Sequence, residues 1–573
     1  MAEASFSRTA AQALVDQLAL HGVEHLFCVP GESYLGVLDA LRDATITLTV
    51  CRQEGGAAMM AEAVGKATGR PGVCFVTRGP GATNASAGVH VAQHDSTPLI
   101  MFVGQVDRGL RGRDAFQELD CARVFGPMAK WAVEVDVAER IPEIVARAFH
   151  TACAGRPGPV VIALPSDVLR ETIKAADARP FRPLESAPGP HDLAELERLF
   201  AQAERPLVVL GGSRWDEPSR AAMHAFAERF QTPVATSYRR APLFDPLHPC
   251  YAGDLGLAAS ARLVARARAA DLVLWIGGRI GEIPSQGYTL FANPDPRQRL
   301  VHVHPGAEEL GRVHSPALAI QASPIAFAAA LERLNPPDPI PWPGLAAAAH
   351  ADYLAWSQTP TAQPGEVNLG EVMVWLRERL PPDAILCNGA GNYAAWIHRF
   401  MRFRRLGGHV ASTSASMGYG VPAAVAMQRL HPDRLVVSVN GDGDFLMNGQ
   451  EFATAVQYGL PIIVLVADNG SYGTIRMHQE REYPGRPSGT ELRNPDFAAY
   501  ARAFGGFGAS VERTADFGPA FEAARASGLP SILHLKIDVD AITPSTTLGQ
   551  IRAAAVDRLG EARTTAPACA NSQ

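Results

Sequence analysis

Short apolar runs alternate with longer stretches of helical period along most of the chain. The runs fall at 72–77 (GVCFVT), 98–103 (PLIMFV), 206–210 (PLVVL), 271–276 (DLVLWI), 435–439 (LVVSV) and 461–466 (PIIVLV). Runs that are apolar at successive positions belong to strands covered on both faces, as in parallel sheets joined by crossover helices. The pattern predicts an α/β fold. Two Pro-rich stretches, 178–190 (ARPFRPLESAPGP) and 335–343 (NPPDPIPWP), interrupt it and read as linkers, because Pro removes backbone donors. Three units are expected, at 1–180, 191–335 and 365–550, with a polar-ending, Ala/Thr-rich segment at 561–573 as a frayed tail.

The first and third units share a spacing. An apolar run ends at Thr77, a Gly-Pro-Gly turn follows at 79–81, and the next run opens at Pro98; in the third unit the same series is Val439, Gly-Asp-Gly at 441–443, and Pro461. Each interval holds one crossover helix, so duplication and shared α/β architecture both account for it.

Charge and cysteine usage narrow the function. Among 573 residues, 52 Lys+Arg face 58 Asp+Glu for a net charge of −6, which gives no footprint for nucleic acid. No run reaches the roughly 20 apolar residues of a membrane span, and the first ten residues (MAEASFSRTA) lack the apolar core of a secretory signal. A cytoplasmic protein is expected. The eight cysteines include no Cys-x-x-Cys pair and read as small buried hydrophobes.

The most informative chemistry lies at 440–445 (NGDGDF) and 467–473 (ADNGSYG). A Gly-Asp-Gly turn after a parallel strand lets backbone approach a phosphate, and the helix beyond it presents free N–H groups and a positive dipole. Asp442 offers a carboxylate oxygen, and 27 residues later Asn469 offers an amide oxygen; with the carbonyl of Ser471 they form half a shell for Mg²⁺ on a diphosphate. Asn448 and Glu451 have capping-box spacing, which predicts a helix starting near Gly449. Taken singly, each half also reads as a tight turn.

Gly-Asp-Gly, about 27 residues and Asn resembles the diphosphate motif of thiamine diphosphate (ThDP) enzymes. From about residue 5 to 550 the chain is similar to their acetolactate synthase-like branch. The resemblance implies outer units that bind the pyrimidine and diphosphate ends of ThDP, a central Rossmann-like unit, and a cofactor lying between two subunits of a homodimer or tetramer. Segment 51–61 (CRQEGGAAMMA) is similar to the one whose glutamate contacts N1′ of the aminopyrimidine, which selects Glu54 as the catalytic group that promotes the imino tautomer. By itself Glu54 reads equally as a cap of the helix beginning near Gly55.

Segments 77–84 (TRGPGATN) and 114–118 (DAFQE) resemble two further motifs and place Phe116 and Gln117 beside the reacting carbon. Segment 388–393 (NGAGNY) resembles the loop touching the diphosphate, giving Gly391, Asn392 and Tyr393, while 412–420 (STSASMGYG) resembles the segment whose Met417 bends the cofactor. Gly441, Gly443, Asp444 and Tyr472 complete the implied cofactor set, and Ile475 and His478 the substrate pocket.

Several positions depart from that branch. Ser166 stands where a lysine is usual, His478 where a tryptophan lines the second-substrate pocket, and Arg78 is unusual; an arginine there offers bidentate binding of a carboxylate, or else a salt bridge. These leave the 2-oxo acid and the acceptor open, as well as any regulatory subunit. The implied activity is decarboxylation of a 2-oxo acid, pyruvate first, with carboligation to a second 2-oxo acid. A ThDP decarboxylase or 2-hydroxyacyl lyase, a flavin oxidase and a non-catalytic ThDP-binding homologue are the alternatives.

FAD also stays open. Segments 210–213 (LGGS) and 276–280 (IGGRI) resemble nucleotide-facing strand ends, whereas 235–245 (ATSYRRAPLFD) departs from the flavin loop. His302 and His304 lack a third metal ligand, and Gly-Pro-Gly-Ala-Thr-Asn at 79–84 lacks the third glycine of a dinucleotide fingerprint.

Overall fold

The computed structural model describes residues 7–565, with side chains described as far as Leu559. All six apolar runs form strands: Gly72–Val76, Leu99–Gln105, Pro206–Leu210, Leu272–Ile276, Val436–Gly441 and Ile463–Asp468. They belong to three six-stranded parallel sheets, as expected for an α/β chain. Both faces are covered, which is why these strands show no polar alternation; every residue of Gly72–Val76 and of Pro159–Pro165 is buried.

Across the first sheet the strands run Thr47–Val50, His25–Cys28, Gly72–Val76, Leu99–Gln105, Pro159–Pro165 and Trp131–Glu134. Across the third they run His409–Ala411, Ile385–Asn388, Val436–Gly441, Ile463–Asp468, Ser531–Lys536 and Phe507–Val511. Numbered along the chain within each unit, both orders are 2-1-3-4-6-5. The spacing shared by the outer units therefore extends to topology, with Gly79-Pro-Gly and Gly441-Asp-Gly both following the third strand. The middle sheet has the order 3-2-1-4-5-6 found in dinucleotide-binding sheets.

The helix Glu54–Thr68 joins the outer units. Its residues 57–61 (AAMMA) are all buried, the pattern of a helix enclosed on every side. Small residues let its neighbours approach: a Cβ on Gly88 of the helix Gly79–Asp95 would stand 2.4 Å from the Ala58 Cβ. One hydrophobic core runs through this helix and the helix Gly420–Leu430 of the third unit, so the outer units share an interior.

Some expectations need correction. A helical turn does start at Gly449 (3-10, Gly449–Glu451) and leads into the helix Phe452–Gln457, directly after a helix Asp442–Asn448, but Asn448 and Glu451 do not form a capping box. The Asn448 amide donates to the Gly418 carbonyl, and buried Glu451 accepts from the backbone N–H groups of Arg52 and Gln53. Tertiary partners outbid the local pairing. The Pro-rich stretch at 335–343 is itself part of the middle unit and is followed by more of its core: Trp342 within the stretch and Tyr353 of the helix Leu345–Ser357 both pack there. The helix Leu548–Thr565 runs into the segment expected to fray, where Glu561, Ala562 and Arg563 favour helix; residues 566–573 lie outside the described ones. Seven cysteines are buried free thiols, and Cys569 lies outside the described residues.

Candidate functional site

A cavity of about 740 Å³ opens at the carboxyl ends of the third sheet. That sheet's order reverses between Ile385–Asn388 and Val436–Gly441, and the residues after those two strands, Ala390–Tyr393 and Asp442–Asp444, line the cavity; such a crevice is where open α/β sheets bind ligands. Gly391, Asn392, Tyr393, Met417, Gly441, Asp442, Gly443, Asp444, Asn469, Ser471, Tyr472, Ile475 and His478 all border it. Glu54, Arg78, Phe116 and Gln117 do not.

Asp442, Asn469 and Ser471, the trio expected to ligate a metal, are drawn together by backbone hydrogen bonds. Asp442 opens its helix directly after the strand, and the Ser471 N–H donates both to Asp442 Oδ2 at 3.2 Å and to Asn469 Oδ1 at 3.1 Å. Asn494 donates to Asp442 Oδ2 at 2.7 Å and to Asp468 Oδ1 at 2.8 Å. Burial pushes the Asp442 carboxyl up to about 6, and the nearby Asp468 adds to the shift. Burial also opposes ionisation of Asp468, but His534 at 2.7 Å and Asn494 hold it below the usual carboxylate range. A desolvated carboxylate beside a second carboxylate and an amide oxygen is a donor set that suits a hard divalent cation, so the residues present fit Mg²⁺.

The glycines are required by close approach. A Cβ on Gly443 would lie 2.5 Å from Tyr472 Cε1, and one on Gly389 would lie 2.1 Å from Asp444 Oδ1. Asp444 faces inward as a brace. Its carboxylate accepts from the N–H groups of Gly418 at 2.7 Å and Ala390 at 3.1 Å and from the Tyr393 hydroxyl at 2.7 Å, fixing the loops that carry Met417 and Asn392. Burial, partly offset by Tyr393, pushes it up to about 6. Asn392 in turn accepts from Thr474 at 2.9 Å.

The second group of residues lies on the first unit. Gln53 caps the helix Glu54–Thr68 by accepting from the Gly56 N–H, which leaves the Glu54 side chain uninvolved in the cap. Asn84 donates to Glu54 Oε2 at 3.0 Å, and a Cβ on Gly81 would stand 3.2 Å from Oε1, so glycine there keeps that oxygen clear. Arg78 donates to the Phe116 carbonyl at 3.1 Å and pairs with Glu32, whose side chain is 68% exposed; its guanidinium also lies 5.9 Å from the Phe116 ring centre. The salt-bridge reading of Arg78 thus describes its present contacts. Gln117 takes φ of 61°, a left-handed conformation uncommon outside glycine, and its carbonyl accepts from the Gly79 N–H. Phe116 is 71% exposed in the single chain. The four residues expected to line a substrate pocket therefore divide between two places, Arg78 and Phe116 on the first unit, Ile475 and His478 at the cavity.

Sequence reading missed Asp468, Asn494 and His534 behind the Asp442, Asn469 and Ser471 trio, and Arg239 on the cavity wall. Asp468 sits beside Asn469 in the quoted motif, and Arg239 falls in the segment that departs from the flavin loop; nothing periodic marks Asn494. Ser166 donates to the carbonyls of Ser33 at 3.0 Å and Gln105 at 2.9 Å and thereby ties loops together. In the middle unit a Cβ on Gly212 would stand 1.9 Å from the Gly277 carbonyl oxygen and one on Gly211 would stand 3.0 Å from the Gly278 Cα. Mutual contact of the two Gly-Gly pairs accounts for the glycines at these strand ends. His302 bonds the Gly278 carbonyl, His304 accepts from the Gly306 N–H, and burial pushes both down to about 4.

The outer sheets with their two polar clusters, and the middle sheet between them, define a class of cofactor enzyme. Family models match all three parts: the N-terminal TPP binding domain of thiamine pyrophosphate enzymes at residues 8–124, the central domain at 193–331, and the C-terminal TPP binding domain at 389–535. The chain is 33% identical over 530 residues to the acetolactate synthase large subunit of Parasynechococcus marenigrum (strain WH8102), covering 87% of this chain and 83% of that protein. It is 31% identical over 535 residues to the acetolactate synthase isozyme 2 large subunit of Escherichia coli (strain K12), covering 92% and 95% respectively. The chain belongs to the thiamine pyrophosphate enzymes. Among the described residues no helix is long and apolar enough to cross a membrane.

Proposed function

We propose that this enzyme decarboxylates a 2-oxo acid, pyruvate first, and joins the remaining carbon unit to a second 2-oxo acid, as an acetolactate synthase does. The observation that carries the proposal is the cavity that gathers Asp442, Asn469 and Ser471 at the ends of adjacent parallel strands, in a chain similar throughout to acetolactate synthases. When bound, ThDP supplies the electron sink that lets carbon dioxide leave.

The chain's own residues supply orientation and proton handling. Asp442, Asn469 and Ser471 hold Mg²⁺, and Gly441 and Gly443 admit the diphosphate to the helix that begins at Asp442. Met417, Tyr472, Gly391, Asn392 and Tyr393 shape the cavity walls. Glu54 holds a proton at the oxygen that Gly81 leaves clear. Gln117 and Phe116 flank the reacting carbon, and Arg78 orients a substrate carboxylate by exchanging its Glu32 partner. Glu54 and the cavity are completed by a second copy of the chain, which makes a homodimer or a dimer of dimers the working unit.

Incubation with pyruvate and ThDP, with Mg²⁺ supplied or chelated, tests the proposal through carbon dioxide release and product identity. Mg²⁺- and ThDP-dependent acetolactate is the expected result. Ser166 and His478 favour one alternative, a lyase acting on an aryl or longer 2-oxo acid; cofactor-dependent aldehyde with no carboligated product transfers the function to it. A yellow, oxygen-consuming protein supports the flavin oxidase instead.

A further inference from the structure

The middle unit reaches the cavity through the turn after the strand Val234–Ser237, where Tyr238 and Arg239 join its lining. Arg239 is 2% exposed and has φ of 58°, a conformation that a bulky side chain keeps only where its surroundings hold it. One terminal nitrogen donates to the Ser412 carbonyl at 2.5 Å and the other to the Gly389 carbonyl at 2.7 Å. Those carbonyls directly follow two neighbouring strands, Ile385–Asn388 and His409–Ala411, at the roots of the loops bearing Asn392 and Met417. Asp444 ties the same two loops through the Ala390 and Gly418 N–H groups. The loops are thus clamped by a guanidinium on their carbonyls and a carboxylate on their N–H groups.

Two features give this arginine a purpose beyond packing. Its Nε is buried without a partner, and so is Oδ2 of Asp254, a buried carboxyl that desolvation pushes well above the usual carboxylate range and Arg239 pulls part of the way back. A buried fork of this kind is costly unless its full geometry is used. It also adds a positive charge to the wall of a cavity whose ligand is a diphosphate.

We propose that Arg239 is a positioning residue for cofactor binding, supplied by the middle unit, which presets the Gly389 and Ser412 loops to receive ThDP. The inference rests on the family assignment and is independent of the acceptor substrate. It is tested by titrating full-length Arg239→Gln, Arg239→Lys and Arg239→Ala with ThDP at saturating Mg²⁺, by calorimetry, alongside the melting temperature without cofactor. Arg239→Gln is expected to weaken ThDP binding by about tenfold or more, and Arg239→Lys by a smaller but clear factor, because one ammonium cannot span two carbonyls in a fixed fork. Methylguanidinium restores part of the affinity of Arg239→Ala, and the apparent constant for ThDP rises by more than kcat falls. ThDP binding by Arg239→Gln within about twofold of the parent overturns the proposal. If that variant does not fold, Arg239→Lys decides by the same threshold.

Discussion

Removing one buried ammonium offers a sharp test of how the outer units are joined. Lys66, on the same helix as Glu54, pairs with Asp95 and lies 3.2 Å from Glu62 Oε1; the three side chains are 5%, 0% and 0% exposed. Asp95 also accepts from the Thr413 N–H at 2.8 Å, its hydroxyl at 2.7 Å and the Ser414 N–H at 3.0 Å, while Glu62 accepts from the Tyr419 hydroxyl at 2.5 Å. The ammonium thus neutralises two carboxylates that anchor both ends of the Met417 segment. Lys66→Met keeps the aliphatic stem and deletes the charge, leaving the carboxyls buried with Arg240 and the Thr413 and Ser414 hydrogen bonds still acting on Asp95. Breaking a buried pair in this way costs about 3–5 kcal/mol.

The pH dependence has a definite sign. In the parent, burial raises the Glu62 pKa against Lys66; burial also pushes Asp95 upward, but Lys66, Arg240 and Thr413 hold it below its ordinary value. Without Lys66 both groups move up from their positions in the parent, Glu62 further above its ordinary value. A raised folded pKa contributes stability that is present below the unfolded pKa and is lost as pH rises through the folded one. The variant's deficit is therefore largest near pH 8 and shrinks toward about pH 5, as the carboxyls take up protons. Urea unfolding of the full chain measures it, with hydrogen exchange of peptides covering 54–68 and 412–419 locating the loss, since a chain of three units need not unfold in one step. A deficit under about 1 kcal/mol, or one that is equal at both pH values, would refute the reasoning.

Other substitutions probe the two halves of the site separately. Glu54→Gln should lower turnover by about 10²- to 10⁴-fold while calorimetry still registers ThDP binding. Asp442→Ala should abolish the Mg²⁺-dependent part of the melting-temperature rise given by ThDP, because the trio loses its only charged ligand. Gly443→Ala, whose methyl would meet Tyr472 at 2.5 Å, should weaken ThDP binding by about tenfold with little change in melting without cofactor. By contrast Gly72→Ala, which would place a methyl 1.8 Å from the backbone oxygen of Ala61, should destabilise the first unit by about 2 kcal/mol or more, measured by urea unfolding.

What could be read from the residues follows from the range of the interactions. Strand runs such as 461–466 and the Gly-Asp-Gly turn are local, and each declares itself through burial on both faces or through backbone approach. Asn448 and Glu451 have the right spacing for a cap, yet both side chains serve partners far along the chain, Gly418 and Arg52, that no local pattern announces. The same applies to Arg239, whose two carbonyl partners lie more than a hundred residues away. Resemblance alone points to Glu54 in the sequence; in the fold Gln53 provides the cap, which leaves the Glu54 carboxylate to Asn84 on one oxygen with the other clear.

The outer units show how one architecture was put to two uses. In both, the turn after the third strand of a 2-1-3-4-6-5 sheet opens a helix, so in both the helix dipole points at the same place. In the third unit the turn is Gly-Asp-Gly: backbone N–H groups remain available to an anion, and Asp442 adds a ligand for the cation that accompanies it. In the first unit Pro80 removes one N–H from the helix start, and the turn is filled from within by the Gln117 carbonyl on the Gly79 N–H. That end is less open to a diphosphate. It instead leaves the space beside Gly81 to the Glu54 carboxylate, the group proposed to handle protons. Glu54 does not line the Asp442 cavity, so under the proposed function a second copy of the chain brings the two together.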